Sequence, residues 1–120
     1  MKKIIHVDNS SFFRKFLSNF LRREGFEVES FDNARDSMMA ISGGGADMVI
    51  VGLAFVDADG EDFLLKVQET YSGPIIVLSS SVDNNEEELM SYGIKDAISK
   101  TGPWQNRLRL HLSALKRQWR

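Results

Sequence analysis

Short runs of apolar residues alternate along the chain with longer segments whose apolar positions recur every three or four residues. The short runs are typical of strands buried in a sheet, and the longer segments are typical of helices that cover a sheet. Five strands are predicted, at residues 4–7, 26–31, 48–51, 75–78 and 94–98. Five helices are predicted to follow them, at about residues 10–24, 33–41, 61–71, 86–92 and 103–119.

Cap residues support the first and last of these helices. Asn9 or Ser10 is suited to cap the first helix, and Gly25 is suited to end it. Pro103 stands where the first turn of the last helix favours proline. The apolar positions of the first helix recur at helical spacing, and they are Phe12, Phe13, Phe16, Leu17, Phe20 and Leu21. One face of the last helix is predicted to contain Trp104, Leu108, Leu112, Leu115 and Trp119.

Five strands that each precede a helix form a (βα)5 chain. Right-handed crossovers then give a doubly wound α/β fold, in which helices cover both faces of a parallel five-stranded sheet. The length of 120 residues suits one domain over residues 1–120, and 42% hydrophobic content is ample for one core. The C-terminal residues leave open an alternative, in which the last helix continues into an output domain.

Charge and composition exclude several functional classes. The 15 basic and 17 acidic residues leave a net charge of −2, which argues against a dedicated nucleic-acid binder. The chain has no cysteine, so disulfides and thiolate metal sites are excluded. No apolar stretch approaches the roughly 20 residues that span a bilayer. We therefore expect a cytoplasmic domain without a membrane partner.

Polar residues follow several of the predicted strands. In open parallel sheets the ligand crevice lies beyond the carboxyl ends of the strands. Strand one delivers Asp8 and Asn9 to this edge, and strand three delivers Gly52. Strands four and five deliver Ser79 and Lys100. We therefore expect a carboxylate, a hydroxyl and an ammonium group to converge on one crevice.

With these motifs in order, the chain resembles the receiver domain of two-component response regulators. Val7–Ser10 matches the acidic turn after strand one. Asp47–Gly60 matches the block around strand three, Pro74–Ser79 the block around strand four, and Gly93–Lys100 the last block. The resemblance covers nearly the whole chain and implies the flavodoxin-like strand order 2-1-3-4-5.

The resemblance also implies a phosphorylation pocket. In the family, an aspartate after strand three accepts a phosphoryl group, two acids after strand one help to hold Mg²⁺, and the hydroxyl and lysine bind phosphoryl oxygens. Asp8, Ser79 and Lys100 match this pattern, but the second acid is Asn9 and the phosphoacceptor position is Gly52. Glycine cannot form an acyl phosphate. With Asp8 as the only anionic ligand, Mg²⁺ binding is expected to be weak or absent.

Two further departures concern the signalling side of the domain. Ala97 replaces the family's aromatic residue and Thr101 replaces its proline. We interpret the chain as a non-enzymatic pseudo-receiver that binds a signalling protein, an output domain or a second copy. The expected surface is helix 4–strand 5–helix 5, with Ala97, Arg107 and Leu110. One alternative is an ordinary phosphoacceptor receiver whose aspartate at position 52 was replaced, and another is a small-ligand sensor.

The pocket residues allow some local predictions. Because a buried, unpaired ammonium group is unfavourable, Lys100 is predicted to reach Asp8 or to turn outward through the gap at Gly52. Phe55 is a candidate to fill that gap. His6 and His111 are interpreted as structural. The acids around Gly60 are interpreted as a solvated loop with a helix N-cap, and Asp57 is a poor candidate for a substitute phosphoacceptor.

Overall fold

The computed structural model describes residues 1–118 and has five strands that alternate with five helices. The strands are Lys3–Val7 (β1), Glu27–Phe31 (β2), Met48–Val51 (β3), Ile75–Ser79 (β4) and Asp96–Ser99 (β5). The helices are Ser11–Arg23 (α1), Ala34–Ser42 (α2), Gly60–Thr70 (α3), Glu86–Met90 (α4) and Trp104–Arg117 (α5). Within residues 1–118, no helix is long and apolar enough to cross a membrane.

The strands form one sheet in the order β2-β1-β3-β4-β5, and every neighbouring pair is parallel. Val7 at the end of β1 pairs with Val51 at the end of β3, and Val51 pairs in turn with Val77. These pairings bring the carboxyl ends of the strands to one edge. The predicted doubly wound fold and flavodoxin-like strand order are confirmed.

The two faces of the sheet contribute to two separate cores. Ile4, Ile50 and Ile76 pack with buried residues of α1 and α5 on one face. Val49 and Val77, which alternate with them, pack with buried residues of α2, α3 and α4 on the other face. This alternation follows from the period of two along a strand. By the same alternation, His6 of β1 lies on the face that α1 and α5 cover, where its ring lies beside Phe13.

Helix α1 begins and ends as the sequence predicts, but two of its aromatic residues do not lie in the core. The Ser10 hydroxyl accepts a hydrogen bond from Phe13 N at 3.2 Å, and Gly25 ends the helix with φ +98°. Phe12 is 78% exposed and Phe16 is 45% exposed, so these two apolar positions lie outside the core. Only the side of α1 that contains Leu17 and Leu21 packs against the sheet, so these two rings lie on the outer side of the helix.

The boundaries of the C-terminal elements also differ slightly from the prediction. Strand β5 begins at Asp96, two residues later than expected, and it buries this acid. Pro103 immediately precedes α5 as its capping residue and is not its first helical residue. The predicted core role of Trp119 lies outside the described residues.

Candidate functional site

The Asp8 carboxylate is fixed by the backbone at the end of β1. Its own N–H donates to Phe31 O at 3.0 Å, which continues the pairing with β2. Oδ1 accepts a hydrogen bond from Ser10 N at 2.8 Å, while the Arg14 guanidinium donates to the Asp8 carbonyl at 2.8 Å. The side chain is only 5% exposed. Asp8 therefore presents its second carboxylate oxygen, Oδ2, within the edge of the sheet.

Lys100 supplies the positive charge that this oxygen faces. Its Nζ lies 2.8 Å from Asp8 Oδ2 as an ion pair and 4.1 Å from the centroid of the Phe13 ring. The backbone N–H of Lys100 donates to Ser79 O at 3.1 Å, which fixes the start of the lysine side chain. The prediction that Lys100 reaches Asp8 is confirmed, and its amine does not turn outward.

Gly52 lies directly beside this ion pair. Its N–H donates to Val7 O at 2.8 Å, which holds the end of β3 against β1. A Cβ atom at this position would lie 2.9 Å from Asp8 Oδ2, so the carboxylate occupies the adjacent space. Phe55, the predicted filler, packs against Phe63 of α3 at 5.0 Å between ring centroids. Asp8 is the side chain nearest to position 52.

The other two predicted pocket residues lie at the margin of this arrangement. Asn9 is exposed on the loop before α1. Ser79 is buried, and its hydroxyl shares a hydrogen bond with the Ser81 hydroxyl at 3.1 Å. The structure therefore brings together Asp8, Gly52 and Lys100 and connects Ser79 to them through the Lys100 backbone.

His6 forms the buried floor of the same pocket. Its ring lies edge-on to Phe13 at 6.2 Å, and its Nε2 lies 3.9 Å from Asp8 Oδ2. Neither ring nitrogen has a hydrogen-bond partner among the described residues. Burial lowers the pKa of His6 to about 4, against the opposing effect of the Asp8 charge, and the charges of Lys100 and Arg14 lower it further. The imidazole is therefore neutral near pH 7.

A second cluster of charges, which the sequence pattern does not predict, lies where β5 meets α5. Asp96 accepts hydrogen bonds from Arg107 Nε at 3.0 Å, from His111 Nε2 at 2.7 Å and from Ala97 N at 2.9 Å. Although burial raises the pKa of the Asp96 carboxyl, hydrogen bonds from Arg107 and His111 outweigh this effect and lower it. Arg107 also lies 3.7 Å from Glu86, which connects α5 to α4.

This cluster changes the predicted interaction surface. Ala97 is completely buried in the core, so its predicted place on that surface is wrong. The reason is that residue 97 lies on the core side of β5, beneath α4. Arg107 is partly exposed but is engaged by Asp96 and Glu86. Leu110 is 71% exposed on α5.

The acidic loop after β3 caps two helices. Asp59 Oδ1 accepts hydrogen bonds from the N–H groups of Glu61 and Asp62, as the predicted N-cap of α3. The Asp57 carboxylate instead accepts from Ala34 N at 3.0 Å and from Arg35 N at 3.2 Å, at the first turn of α2. The Ala34 hydrogen bond is the main cause of a lowered pKa for Asp57. The sequence pattern does not predict this second cap.

These features define a doubly wound domain with a carboxylate and a lysine paired at the carboxyl edge of its sheet. The family described as the response regulator receiver domain matches residues 4–112. The chain therefore belongs to this family, and the resemblance seen in the sequence is confirmed. It is a receiver domain of two-component signalling, a class of domain that interacts with other signalling proteins or with output domains.

Curated relatives of the chain are longer regulatory proteins. The KDP operon transcriptional regulatory protein KdpE of Escherichia coli K12 is 27% identical over 116 residues, which cover 93% of this chain and 52% of the relative. The regulatory protein VanRc of Enterococcus gallinarum is 24% identical over 100 residues, which cover 82% and 43%. The chain thus spans about half the length of these relatives.

Solved structures show the same architecture. The activated N-terminal receiver domain of Klebsiella pneumoniae RstA superposes with a TM-score of 0.83 at 26% identity, covering 98% of this chain and all of that one. A two-component response regulator from Clostridium difficile gives a TM-score of 0.86 at 19% identity and covers 98% of both chains. The second likeness concerns the fold alone.

Proposed function

We propose that this chain is an atypical, non-enzymatic receiver domain that signals through protein contacts without being phosphorylated. The observation that carries the proposal is the ion pair of Asp8 and Lys100 beside Gly52. Position 52 has no side chain to accept a phosphoryl group. The lysine that would bind phosphoryl oxygens already faces a carboxylate at 2.8 Å. The positive charge of Lys100 in the pocket is therefore balanced by the Asp8 carboxylate of the same chain.

The same contacts argue that Mg²⁺ binds weakly or not at all. Mg²⁺ requires near-octahedral oxygen ligation and usually keeps one or two carboxylates among its ligands. The Asp8 carboxylate faces Ser10 N with one oxygen and Lys100 with the other. Asn9 offers only a neutral amide, and Gly52 offers no side chain. The side chains of the pocket therefore do not fit the ion.

The proposed interaction surface is the side of the domain formed by α4, β5 and α5. Leu110 exposes an apolar side chain there, among the cations of α5. The cluster of Asp96, Arg107, His111 and Glu86 holds the three elements together at this surface. Such a surface suits a signalling protein or an output domain. The contacts of this charge cluster therefore fix the shape of the surface.

A resonance titration of the amide groups tests the proposal. The domain and its Gly52→Asp variant are each titrated with Mg²⁺ and then with beryllofluoride, which mimics an aspartyl phosphate. Gly102→Asp serves as the matched control because residue 102 is exposed and has open space around a Cβ atom. We expect the amide resonances of the unmodified domain to stay unchanged. A saturable shift of its resonances across α4 and α5 would overturn the proposal.

The Gly52→Asp variant separates the proposal from the main alternative, a phosphoacceptor receiver whose aspartate was replaced. The presence of Asp8, Ser79 and Lys100 favours that alternative. A beryllofluoride response of the variant across α4 and α5 would show that the switch survives and lacks only its acceptor. No response in a folded variant would show that the phosphorylation machinery is lost beyond position 52.

A further inference from the structure

An open groove of about 900 Å³ lies between α2 and α3, on the face of the sheet opposite α1 and α5. Met38, Met39, Ala58 and Phe63 supply its apolar lining. Met39 is 71% exposed beside these apolar groups. Methionine side chains adapt to irregular partners and make favourable contacts with aromatic rings. The groove is therefore suited to an aromatic anchor.

The rim of the groove is acidic. Asp57, Asp59 and Asp62 line it, and Lys66 and Arg35 are the cations that also line it. Arg35 Nε lies 3.6 Å from the Asp36 carboxylate, which offsets its charge. Residues 57–70 contain five acids and one base. The groove therefore favours a cationic partner.

The outer face of α1 has the opposite properties. Phe12 and Phe16 stack on each other at 6.2 Å between centroids with an interplanar angle of 12°, and they are 78% and 45% exposed. Helix α1 also carries four cations and no acid; Arg14 and Arg22 donate to backbone carbonyls, while Lys15 and Arg23 are exposed. An exposed aromatic pair on a basic helix is a convex counterpart to an acidic, methionine-lined groove.

We propose that the aromatic face of α1 docks into the α2–α3 groove of a second copy of this chain. The two surfaces lie on opposite faces of the sheet, so one molecule cannot bring them together. In a second copy, the rings of Phe12 and Phe16 contact the thioethers of Met38 and Met39. Lys15 then faces the carboxylate rim, where opposite charges align the two helices and speed their encounter.

The symmetry of this contact follows from the position of its two halves. Each molecule keeps a free aromatic face and a free groove after one contact forms. Contacts of this heterologous kind give closed rings or open head-to-tail chains. The proposal does not depend on whether the pocket at Gly52 takes part in phosphorylation.

Sedimentation velocity of the domain over roughly 10 μM to 1 mM, the range of weak affinities, measures the association. The sedimentation coefficient is expected to rise with concentration. Phe12→Ser removes the exposed ring, and Met39→Lys adds a positive charge that repels the cations of α1. Each variant alone is expected to associate at least tenfold more weakly, as for a hot-spot side chain. Ser72→Ala, at an exposed position between α3 and β4, is the control and is expected to behave like the original domain.

An equimolar mixture of the Phe12→Ser and Met39→Lys variants is the decisive experiment. Each variant keeps one intact half, so the mixture is expected to form one-to-one dimers that neither variant forms alone. A chain that carries both Lys15→Glu and Asp62→Lys provides a second test. Its exchanged charges face each other between copies, so association is expected to be restored. A domain that is monomeric at every concentration, a mixture that stays monomeric, or loss of association in Ser72→Ala would overturn the proposal. Thermal unfolding of each variant verifies that it is folded.

Discussion

Lys100 and Asp8 are in contact although two strands separate the strands that carry them. Asp8 follows β1 and Lys100 follows β5, with β3 and β4 between these strands in the sheet. The lysine side chain passes the end of β3 and places its Nζ 2.8 Å from Asp8 Oδ2. A Cβ atom on Gly52 would lie 2.9 Å from the same oxygen. A side chain at position 52 would therefore compete with the carboxylate of the ion pair for the same space.

The replacement Lys100→Met tests how this ion pair controls its surroundings. Because the Lys100 charge lowers the pKa of His6, its loss is expected to raise that pKa from its value of about 4. The partly exposed pair lies between the surface and buried cases, so the free energy of unfolding should fall by about 2 kcal/mol. A resonance titration of the His6 ring measures the first effect. Lys95→Met, at an exposed position, is the control, and an unchanged His6 pKa in Lys100→Met would contradict the prediction.

The replacement Gly52→Ala tests whether the Asp8 carboxylate occupies the space at position 52. The added methyl group forces Asp8 to shift, so we expect the free energy of unfolding to fall by about 1–2 kcal/mol. In a background with Asp8→Ala, the same change should cost less, because the crowding oxygen is absent. Urea unfolding of the four proteins measures this coupling. Gly102→Ala, where a Cβ atom meets nothing within 4 Å, is the control, and equal costs in both backgrounds would refute the account.

The replacement Gly60→Ala tests a close backbone approach at the start of α3. A Cβ atom on residue 60 would collide with the carbonyl oxygen of Leu53, and a backbone group cannot move aside as a side chain can. We expect a loss of about 3 kcal/mol in the free energy of unfolding. Gly43→Ala is the matched control at a helix end, because its Cβ atom would lie at an ordinary 3.5 Å from Ala40 O. Similar stabilities of the two variants would exclude the proposed collision.

The replacement Asp96→Asn tests the charge cluster that joins β5 to α5. Because the pKa of Asp96 is lowered in the folded state, its stabilising effect is present above its ordinary value near 3.8 and is lost as pH falls through the lowered pKa. Asp96→Asn should therefore lose about 2 kcal/mol at pH 7 and show a weaker decrease in stability towards pH 3. Urea unfolding at both pH values measures this difference. The control is Asp83→Asn, which replaces an exposed acid and should keep the pH dependence of the original domain. If Asp96→Asn also kept that pH dependence, the stabilising role of the Asp96 carboxylate would be contradicted.

The sequence predicts the features whose cause is local or common to the whole edge of the sheet. The strands follow from apolar runs, and the Ser10 cap follows from its place before an amphipathic segment. The contact between Asp8 and Lys100 is also predictable, because both residues follow parallel strands and the cation requires a partner. These are consequences of periodicity and of a shared sheet edge.

Features that depend on which side chains meet across elements could not be predicted. Asp57 caps α2, whose first residue Ala34 lies 23 positions earlier in the chain. Asp96 contacts Arg107 and His111 because this part of α5 packs beside the start of β5. The four-residue spacing of Arg107 and His111 indicates that they share a side of the helix, but it does not indicate which acid they contact. The exposure of Phe12 likewise depends on the width of the contact between α1 and the sheet. Each outcome is set by tertiary packing, which periodicity alone does not specify.

The brevity of α4 has a consequence for hydrogen exchange. This helix has five residues, no side-chain hydrogen bond at its cap and one buried side chain, that of Leu89. A single turn is not stable by itself, so its amides are protected only while Leu89 stays packed and Glu86 faces Arg107. Local opening of α4 therefore requires far less free energy than global unfolding. A protein that binds this side of the domain would slow exchange there most, even where it leaves the sheet unchanged.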